Sequence, residues 1–178
     1  MTEKQQKIVD VALELFAHQG YASTSTQKIA RQAKVSEGLI FRHFTNKEGL
    51  LEAIVRQGMS ELEKLAPDIL SEKNPKMVLA RVIELPLMLT QRQPTFWRLQ
   101  TSLKYQQPDI AEKYDESDLI LRLKALAEGA FRKMGYANPR AETRLLLVIV
   151  NGLMAELAGE DLIDQRALID FVKSKYEL

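Results

Sequence analysis

A short basic segment near the amino terminus holds the residues best suited to bind an anion. Residues 20 to 47 carry a formal charge of +4, whereas residues 49 to 178 carry a net charge of −1. Charge of one sign concentrated in one stretch favours an anionic partner such as a nucleic acid, although a solvated helix face gives the same pattern. The basic side chains of the segment are Lys28, Arg31, Lys34, Arg42 and Lys47, and its one acidic side chain is Glu37.

The rest of the composition excludes several other kinds of chemistry. The chain of 178 residues contains no cysteine, so disulfides, thiolate metal sites and cysteine nucleophiles are excluded. Its two histidines, His18 and His43, stand far apart with no carboxylate cluster at ligand spacing, so we predict neither a metal site nor a cofactor. The longest charge-free apolar stretch, 145–155, has 11 residues, whereas a membrane span needs roughly 20. We therefore expect a cytoplasmic protein with no membrane partner.

The spacing of the apolar residues predicts an all-α protein. Residues 3–19 form a first helix with a regular apolar stripe, and Gly20 ends it. Thr24 and Gln27 form a capping-box pattern that opens a second helix, and a third begins at Ser36. Thr45 or Asn46 caps a fourth helix that Pro67 ends near residue 65. Further helices are predicted over residues 75–91 with a kink at Pro86, 94–105, 117–134, 139–159 and 164–176, with a short one beginning at Pro108 and a linker-like break at 68–74.

The first three predicted helices have the plan of a helix-turn-helix in a three-helix bundle. Three or four residues around Lys34 and Val35 join helices two and three, and a longer helix precedes them. Such a unit places its third helix in the major groove of DNA. We assign residues 1–47 to this DNA-binding domain and 48–178 to a second helical domain, connected by the helix at about 46–65. The core of the first unit is predicted to contain Ile29, Ala30, Ala33, Val35, Ile40 and Phe44.

Residues 5–55 resemble the TetR family of bacterial transcriptional regulators. The resemblance implies a homodimer that binds palindromic, double-stranded operator DNA as a repressor and releases it when a small lipophilic effector enters the second domain. The remaining 120 or so residues carry no motif of the family and agree only in being helical. The residues that carry the resemblance are Gly20-Tyr21, Thr24-Ser25, Ile29-Ala30, Ala33, Val35-Ser36, Gly38-Leu39, Phe41, His43-Phe44, Lys47-Glu48 and Leu50-Leu51.

The resemblance also implies roles for individual side chains. The start of helix two would meet the DNA backbone and one base edge through Ser25, Thr26 and Gln27. Gly38 and Leu39 would lie against the floor of the groove, where a leucine touches a thymine methyl. The implied contacts to phosphate, or for Arg42 alternatively to a guanine, come from Lys34, Ser36, Phe41, Arg42, His43 and Lys47.

Two of these positions depart from the family pattern. Phe41 stands where tyrosine is usual, which removes one hydroxyl group that binds phosphate. Lys34 stands where glycine is common in the turn. If that residue needs a positive φ angle, the lysine costs on the order of 1 kcal/mol, which a further phosphate contact would offset.

Small residues on the most apolar helix predict a dimer interface. A stripe at helical spacing would let a copy of this helix approach closely, and the preceding helix would complete a four-helix bundle about a twofold axis. The alternative is that both helices are simply the core of a monomer. The predicted interface residues are Leu119, Leu123, Leu126, Val148, Gly152, Ala155 and Gly159.

Methionines, aromatic residues and a few polar groups in the middle helices predict an adaptable apolar pocket for the effector. The same residues are equally compatible with an ordinary core. The predicted pocket residues are Met88, Arg92, Phe96, Trp97, Gln100, Tyr105, Phe131, Met134 and Asn151.

Two other functional classes remain open at this point. A helical interaction protein could keep this fold without binding DNA. A small helical enzyme would need a nucleophile with its base, a carboxylate pair or a cofactor motif. The sequence offers none of these patterns, so we expect no enzymatic activity.

Overall fold

The computed structural model describes residues 1–107, 117–159 and 164–178, and these are α-helical with no strand among them. The predicted helix at Pro108 lies outside the described residues. The helices are α1 (Glu3–Gln19), α2 (Thr26–Ala33), α3 (Glu37–Phe44), α4 (Lys47–Leu70), α5 (Pro75–Arg92), α6 (Pro94–Gln106), α7 (Asp118–Lys133), α8 (Pro139–Leu157) and α9 (Gln165–Lys175).

Helices α1, α2 and α3 form a three-helix unit around a small apolar core. Ile8, Phe16, Ile29 and Ile40 contribute fully buried side chains from all three helices. Gly20 ends α1 with a φ angle of 86°, which glycine adopts without a steric cost. Of the six core residues predicted from the sequence, five are buried and Val35 is partly buried.

The cap of α2 differs from the prediction by one residue. Ser25, not Thr24, is the N-cap, and its hydroxyl accepts from the Lys28 backbone N–H at 3.2 Å. Thr24 is buried, and its hydroxyl donates to the Gly20 carbonyl at 2.9 Å. The capping-box prediction was therefore wrong, because the Thr24 hydroxyl binds the Gly20 carbonyl at the end of α1 and does not cap α2.

Helix α4 continues beyond the predicted end. Asn46 caps it by accepting from the Gly49 backbone N–H at 2.8 Å, and the helix runs through Pro67 to Leu70. Pro67 is exposed, while Ala66 and Ile69 are buried on the opposite side. Burial of this apolar face holds the last turn together although the proline removes one backbone hydrogen bond.

Helix α5 is the centre of the group of helices that follows α4. It buries ten of its residues and packs against α7, α8 and α9. Glu84 on α5 anchors α9 through Lys173, with Oε1 to Nζ at 2.6 Å, and Arg166 lies 3.7 Å from the same oxygen.

Helix α6 packs on both α1 and α4. Arg98 donates from Nη1 to His18 Nδ1 on α1 at 3.3 Å. On the side of α4, the ring of Phe96 lies against Gly58, where a Cβ atom would come within 2.2 Å of the ring. No side chain larger than hydrogen fits at position 58 without a shift of Phe96.

We expect Gly58→Ala to lower the free energy of unfolding by about 2 kcal/mol, because the added methyl group overpacks the contact between α4 and α6. The measurement is urea denaturation followed by circular dichroism. The matched control is Gly129→Ala on α7, where no described atom lies within 4 Å of an added Cβ. That change is expected to raise the free energy of unfolding by up to about 1 kcal/mol. Equal changes in the free energy of unfolding at both positions would contradict the steric contact between Gly58 and Phe96.

Candidate nucleic-acid interface and ligand cavity

The turn between α2 and α3 is held in a left-handed conformation at Lys34. Its backbone angles are φ 58° and ψ 45°. The N–H of Val35 donates to the Ala30 carbonyl at 3.0 Å, which closes the end of α2. Lys34 therefore has a positive φ angle, so a lysine occupies a backbone conformation that favours glycine.

A hydrogen bond across the turn fixes α3 relative to α2. The hydroxyl of Thr26 donates to Glu37 Oε1 at 2.6 Å. Ser36 is the N-cap residue of α3, but its side chain makes no capping hydrogen bond. The hydroxyl of Thr26 thus already makes a hydrogen bond within the protein. The hydroxyl of Ser36 does not cap its own helix.

The outer face of this unit gathers most of the predicted contact residues. Gly38 faces open space, because no described atom lies within 4 Å of an added Cβ. Phe41 is 45% exposed although it is aromatic. Leu39 is only partly exposed, since it packs against the core. The exposed residues are Ser25, Gln27, Lys34, Ser36, Gly38, Phe41 and Arg42, and the partly buried ones are Thr26, Leu39, His43 and Lys47.

Lys47 is positioned by an aromatic residue that the sequence analysis did not single out for this role. Its Nζ atom lies 4.3 Å from the centre of the Tyr21 ring and 3.4 Å from the Ala22 carbonyl oxygen. Burial lowers the pKa of Lys47 and raises the pKa of Tyr21. Tyr21 in turn packs edge-on against Phe16, with ring centres 5.1 Å apart. The ammonium group is thereby held near the start of α4 rather than left on a free chain.

His43 is oriented by a residue of α1. Gln5 Nε2 lies 3.2 Å from His43 Nδ1. When the Gln5 amide donates, Nδ1 accepts and the ring proton resides on Nε2, at the other side of the ring. No local pattern in the sequence indicates this pair, because 38 residues separate its members.

Lys34→Gly should raise the free energy of unfolding by about 1 kcal/mol, since glycine adopts a positive φ angle at lower cost. The control is Lys34→Ala, which removes the same charge and keeps the cost of the left-handed conformation. Chemical denaturation of both variants measures the difference. Equal stabilities of the glycine and alanine variants would show that this conformation is not strained at position 34.

A cavity of 230 Å³ lies between α4, α5, α6, α7 and α8. Helices α4 and α5 contribute apolar wall residues such as Leu62, Leu85 and Leu89. Most polar residues come from one side of α6. The polar and aromatic wall residues are Trp97, Gln100, Thr101, Lys104, Tyr105, Lys124 and Asn151.

The structure places four of the nine predicted pocket residues at this wall, namely Trp97, Gln100, Tyr105 and Asn151. The other five lie elsewhere because their helices turn them away from the cavity. Met88 lines a separate surface groove, Arg92 pairs with Glu61 at 3.0 Å, and Phe96 packs on Gly58. Phe131 packs against Tyr136 and Tyr176, and Met134 lies just beyond the end of α7.

The predicted dimer interface is exposed only in part. Val148 is 62% exposed, and Gly152 and Gly159 are also exposed. Leu119, Leu126 and Ala155 are partly buried. Leu123 is buried and lines the cavity, so its assignment to an outer face was wrong: the α7 spacing turns it inward. Two further leucines, Leu121 and Leu145, are about half exposed on the same pair of helices.

The fold and this surface together define a helix-turn-helix protein with a helical second domain. Residues 8–54 match the family described as bacterial regulatory proteins, tetR family. The match is therefore to the amino-terminal domain of that family, and the rest of the chain resembles solved members in fold alone.

Two curated relatives from Bacillus subtilis (strain 168) match the amino-terminal part. The fatty acid metabolism regulator protein is 37% identical over 81 residues, which are 45% of this chain and 42% of the relative. The uncharacterized HTH-type transcriptional regulator YvkB is 45% identical over 60 residues, which are 34% of this chain and 32% of the relative. The chain thus matches less than half the length of either relative.

Solved structures match nearly the whole chain in fold. A TetR-like transcriptional regulator from Rhodococcus sp. RHA1 has a TM-score of 0.79 at 18% identity, covering 96% of this chain and 92% of that one. The transcriptional regulator FadR from Bacillus subtilis, in complex with stearoyl-CoA, has a TM-score of 0.75 at 22% identity, covering 95% of each chain. Among the helices described here, none has the length and apolar character needed to span a membrane.

Proposed function

We propose that this protein is a ligand-responsive transcriptional repressor that acts in the cytoplasm as a homodimer on palindromic operator DNA. Residues 1–47 would bind DNA, and residues 48–178 would bind the effector and the second subunit. The observation that carries the proposal is the exposed outer face of α3 with the basic turn before it, on a helix-turn-helix scaffold. The named relatives are regulators rather than enzymes, which favours binding over catalysis.

The contacts to DNA follow from which side chains are exposed and which are held in place. Arg42 is exposed in the last turn of α3 and would reach a guanine or a phosphate. Lys47 and His43 are held by Tyr21 and Gln5, so each would present its donor to phosphate with little loss of side-chain entropy. Gly38 leaves the groove floor free for close approach.

Replacing Arg42 by alanine should reduce the salt dependence of DNA binding. Each phosphate contact contributes about 0.9 to the slope of log K against log salt concentration, so a dimer that loses two contacts loses about 2. Fluorescence anisotropy over a salt series measures the slope, on DNA selected by the native protein. The control is Lys133→Ala, which removes an exposed cation at the end of α7. An unchanged slope together with an unchanged affinity in Arg42→Ala, or an equal loss in Lys133→Ala, would argue against this placement of DNA.

The exposed apolar residues of α7 and α8 support the proposed dimer. Leu121, Leu145 and Val148 are each more than half exposed, and the glycine at 152 on the same helix allows a close approach of a second copy. Pairing α7 and α8 with their copies would bury these side chains in a four-helix bundle. A twofold dimer would present two α3 helices to two half-sites of DNA.

Leu145→Glu should weaken the dimer by roughly a hundredfold, because a carboxylate would be buried without a partner in the interface. Analytical ultracentrifugation over a concentration series measures the dissociation constant. Phe171→Glu is the matched control, since Phe171 is a similarly exposed apolar residue on α9, outside the proposed interface. If Leu145→Glu stays as dimeric as the native protein, or if both variants dissociate alike, the interface lies elsewhere.

The cavity would hold the effector. Its apolar walls on α4 and α5 suit a hydrocarbon group. The likeness to a regulator solved with stearoyl-CoA makes acyl compounds natural candidates. A ligand that shifted α6 would act on α4 through Phe96 and Gly58, and on α1 through Arg98. Both routes lead to the DNA-binding unit.

A further inference from the structure

Trp97 on α6 is the one tryptophan of the chain, and it stands at the wall of the cavity. The residue is only 7% exposed. Its Nε1 atom is buried, and no described residue offers it a hydrogen-bond acceptor. The indole N–H is a donor and nothing else, so an acceptor must come from outside the described side chains.

Gln100, one helical turn further along α6, also has a buried polar atom without a partner among the described residues. It lines the same cavity, and its buried Oε1 atom has no donor among the described residues. Residues three apart lie on one face of a helix, so the two groups flank the same part of the cavity. Buried polar atoms in folded proteins nearly always have a partner, and leaving one without costs stability. Two such atoms at one wall indicate a place for a polar group that the described residues do not supply.

The two groups also constrain what that polar group is. Trp97 requires an acceptor, whereas Gln100 can turn its amide to present either an oxygen or an N–H. A hydroxyl group satisfies both, because it accepts from Trp97 and donates to Gln100. A carbonyl oxygen satisfies both after the amide of Gln100 turns. A bare hydrocarbon satisfies neither.

The other residues of the wall indicate which chemical group the rest of the ligand carries. Leu62, Leu85, Leu89 and Leu123 come from three other helices and surround the volume with apolar surface. The wall beyond the two polar atoms therefore suits a hydrocarbon group.

We propose that the cavity binds an amphiphile through a hydroxyl or carbonyl oxygen, which accepts a hydrogen bond from Trp97 Nε1 beside the amide of Gln100. This inference rests on the proposed ligand-responsive function, because it concerns the same cavity. It adds the orientation of the ligand: the oxygen lies at Trp97, next to the Phe96 contact with α4, and the chain lies along the leucines.

The single tryptophan allows a direct test. A ¹⁵N–¹H correlation spectrum of the native protein contains one indole N–H signal, and 1-octanol and n-octane serve as probes of equal chain length. Octanol and 2-octanone are expected to shift this signal downfield and to slow its exchange with solvent, because the N–H gains an acceptor. Octane is expected to do neither. If octanol leaves the signal unchanged at saturation, or if no probe binds, the inference is wrong.

A shape-matched variant separates the hydrogen bond from hydrophobic binding. Benzothienylalanine in place of Trp97 keeps the bicyclic ring and lacks the N–H, and thermal unfolding checks that the fold is retained. Calorimetry should show octanol affinity falling roughly tenfold, since a buried hydrogen bond is lost, while octane affinity stays within about twofold. An equal change for both probes would overturn the role of the N–H. Gln100→Leu should likewise weaken octanol more than octane.

Both measurements are made without DNA, so they separate this inference from the proposed function. If the protein binds selected DNA but shows no indole shift, the proposed oxygen site is wrong and the proposed regulator function stands. If it shows the shift but binds no DNA, the oxygen site stands and the regulator function is wrong.

Discussion

The architecture depends on one apolar core that continues from the helix-turn-helix into the second domain. Helix α4 carries it, because Leu51 and Ile54 complete the core of the first unit and Leu62 and Ile69 belong to the core of the second. At the midpoint of the helix, Gly58 receives the ring of Phe96 from α6. Since close-packed interiors resist continuous deformation, a shift of the helices around the cavity would be transmitted to α1 and α3 rather than absorbed. Continuous packing thus connects the helix-turn-helix to the cavity.

Helix α6 is the element where this coupling and ligand recognition meet. One side of it contacts α1 and α4, and the other side lines the cavity with Trp97, Gln100 and Lys104. Phe96 and Trp97 are neighbours in sequence and pack edge to face, with ring centres 5.0 Å apart. A ligand bound at Trp97 therefore acts one residue away from the contact that positions α4. A ligand can shift this equilibrium only by its difference in affinity between the two arrangements, which a hydrogen bond at Trp97 would supply.

Local signals in the sequence predicted the fold well, whereas packing decided the rest. Helix starts at Pro75, Pro139 and Asp118 could be predicted, because a capping side chain and an N-terminal proline act within a few residues. The end of α4 could not, because burial of Ile69 on the far side of Pro67 is a tertiary effect. The sequence analysis raised a positive φ angle at Lys34 only as a possibility, because the family resemblance places glycine at that position.

The site was predictable to the same extent. The contact residues of α3 followed from the family resemblance, but the Tyr21 contact with Lys47 and the Gln5 contact with His43 join distant parts of the chain. Five helices meet around the cavity, so which side of each faces inward depends on their packing. This is why Phe131 and Met134 were placed at the wall while Leu62 and Leu89 were not.

The most direct test of the account is selection of bound DNA from a random pool by the purified protein, refolded free of ligand and measured at two salt concentrations. A dimer that reads two half-sites should enrich an inverted repeat, and its affinity for that repeat should fall steeply as salt rises. Enrichment of no sequence by the ligand-free protein at low salt would contradict the central claim and favour a helical interaction protein with the same fold.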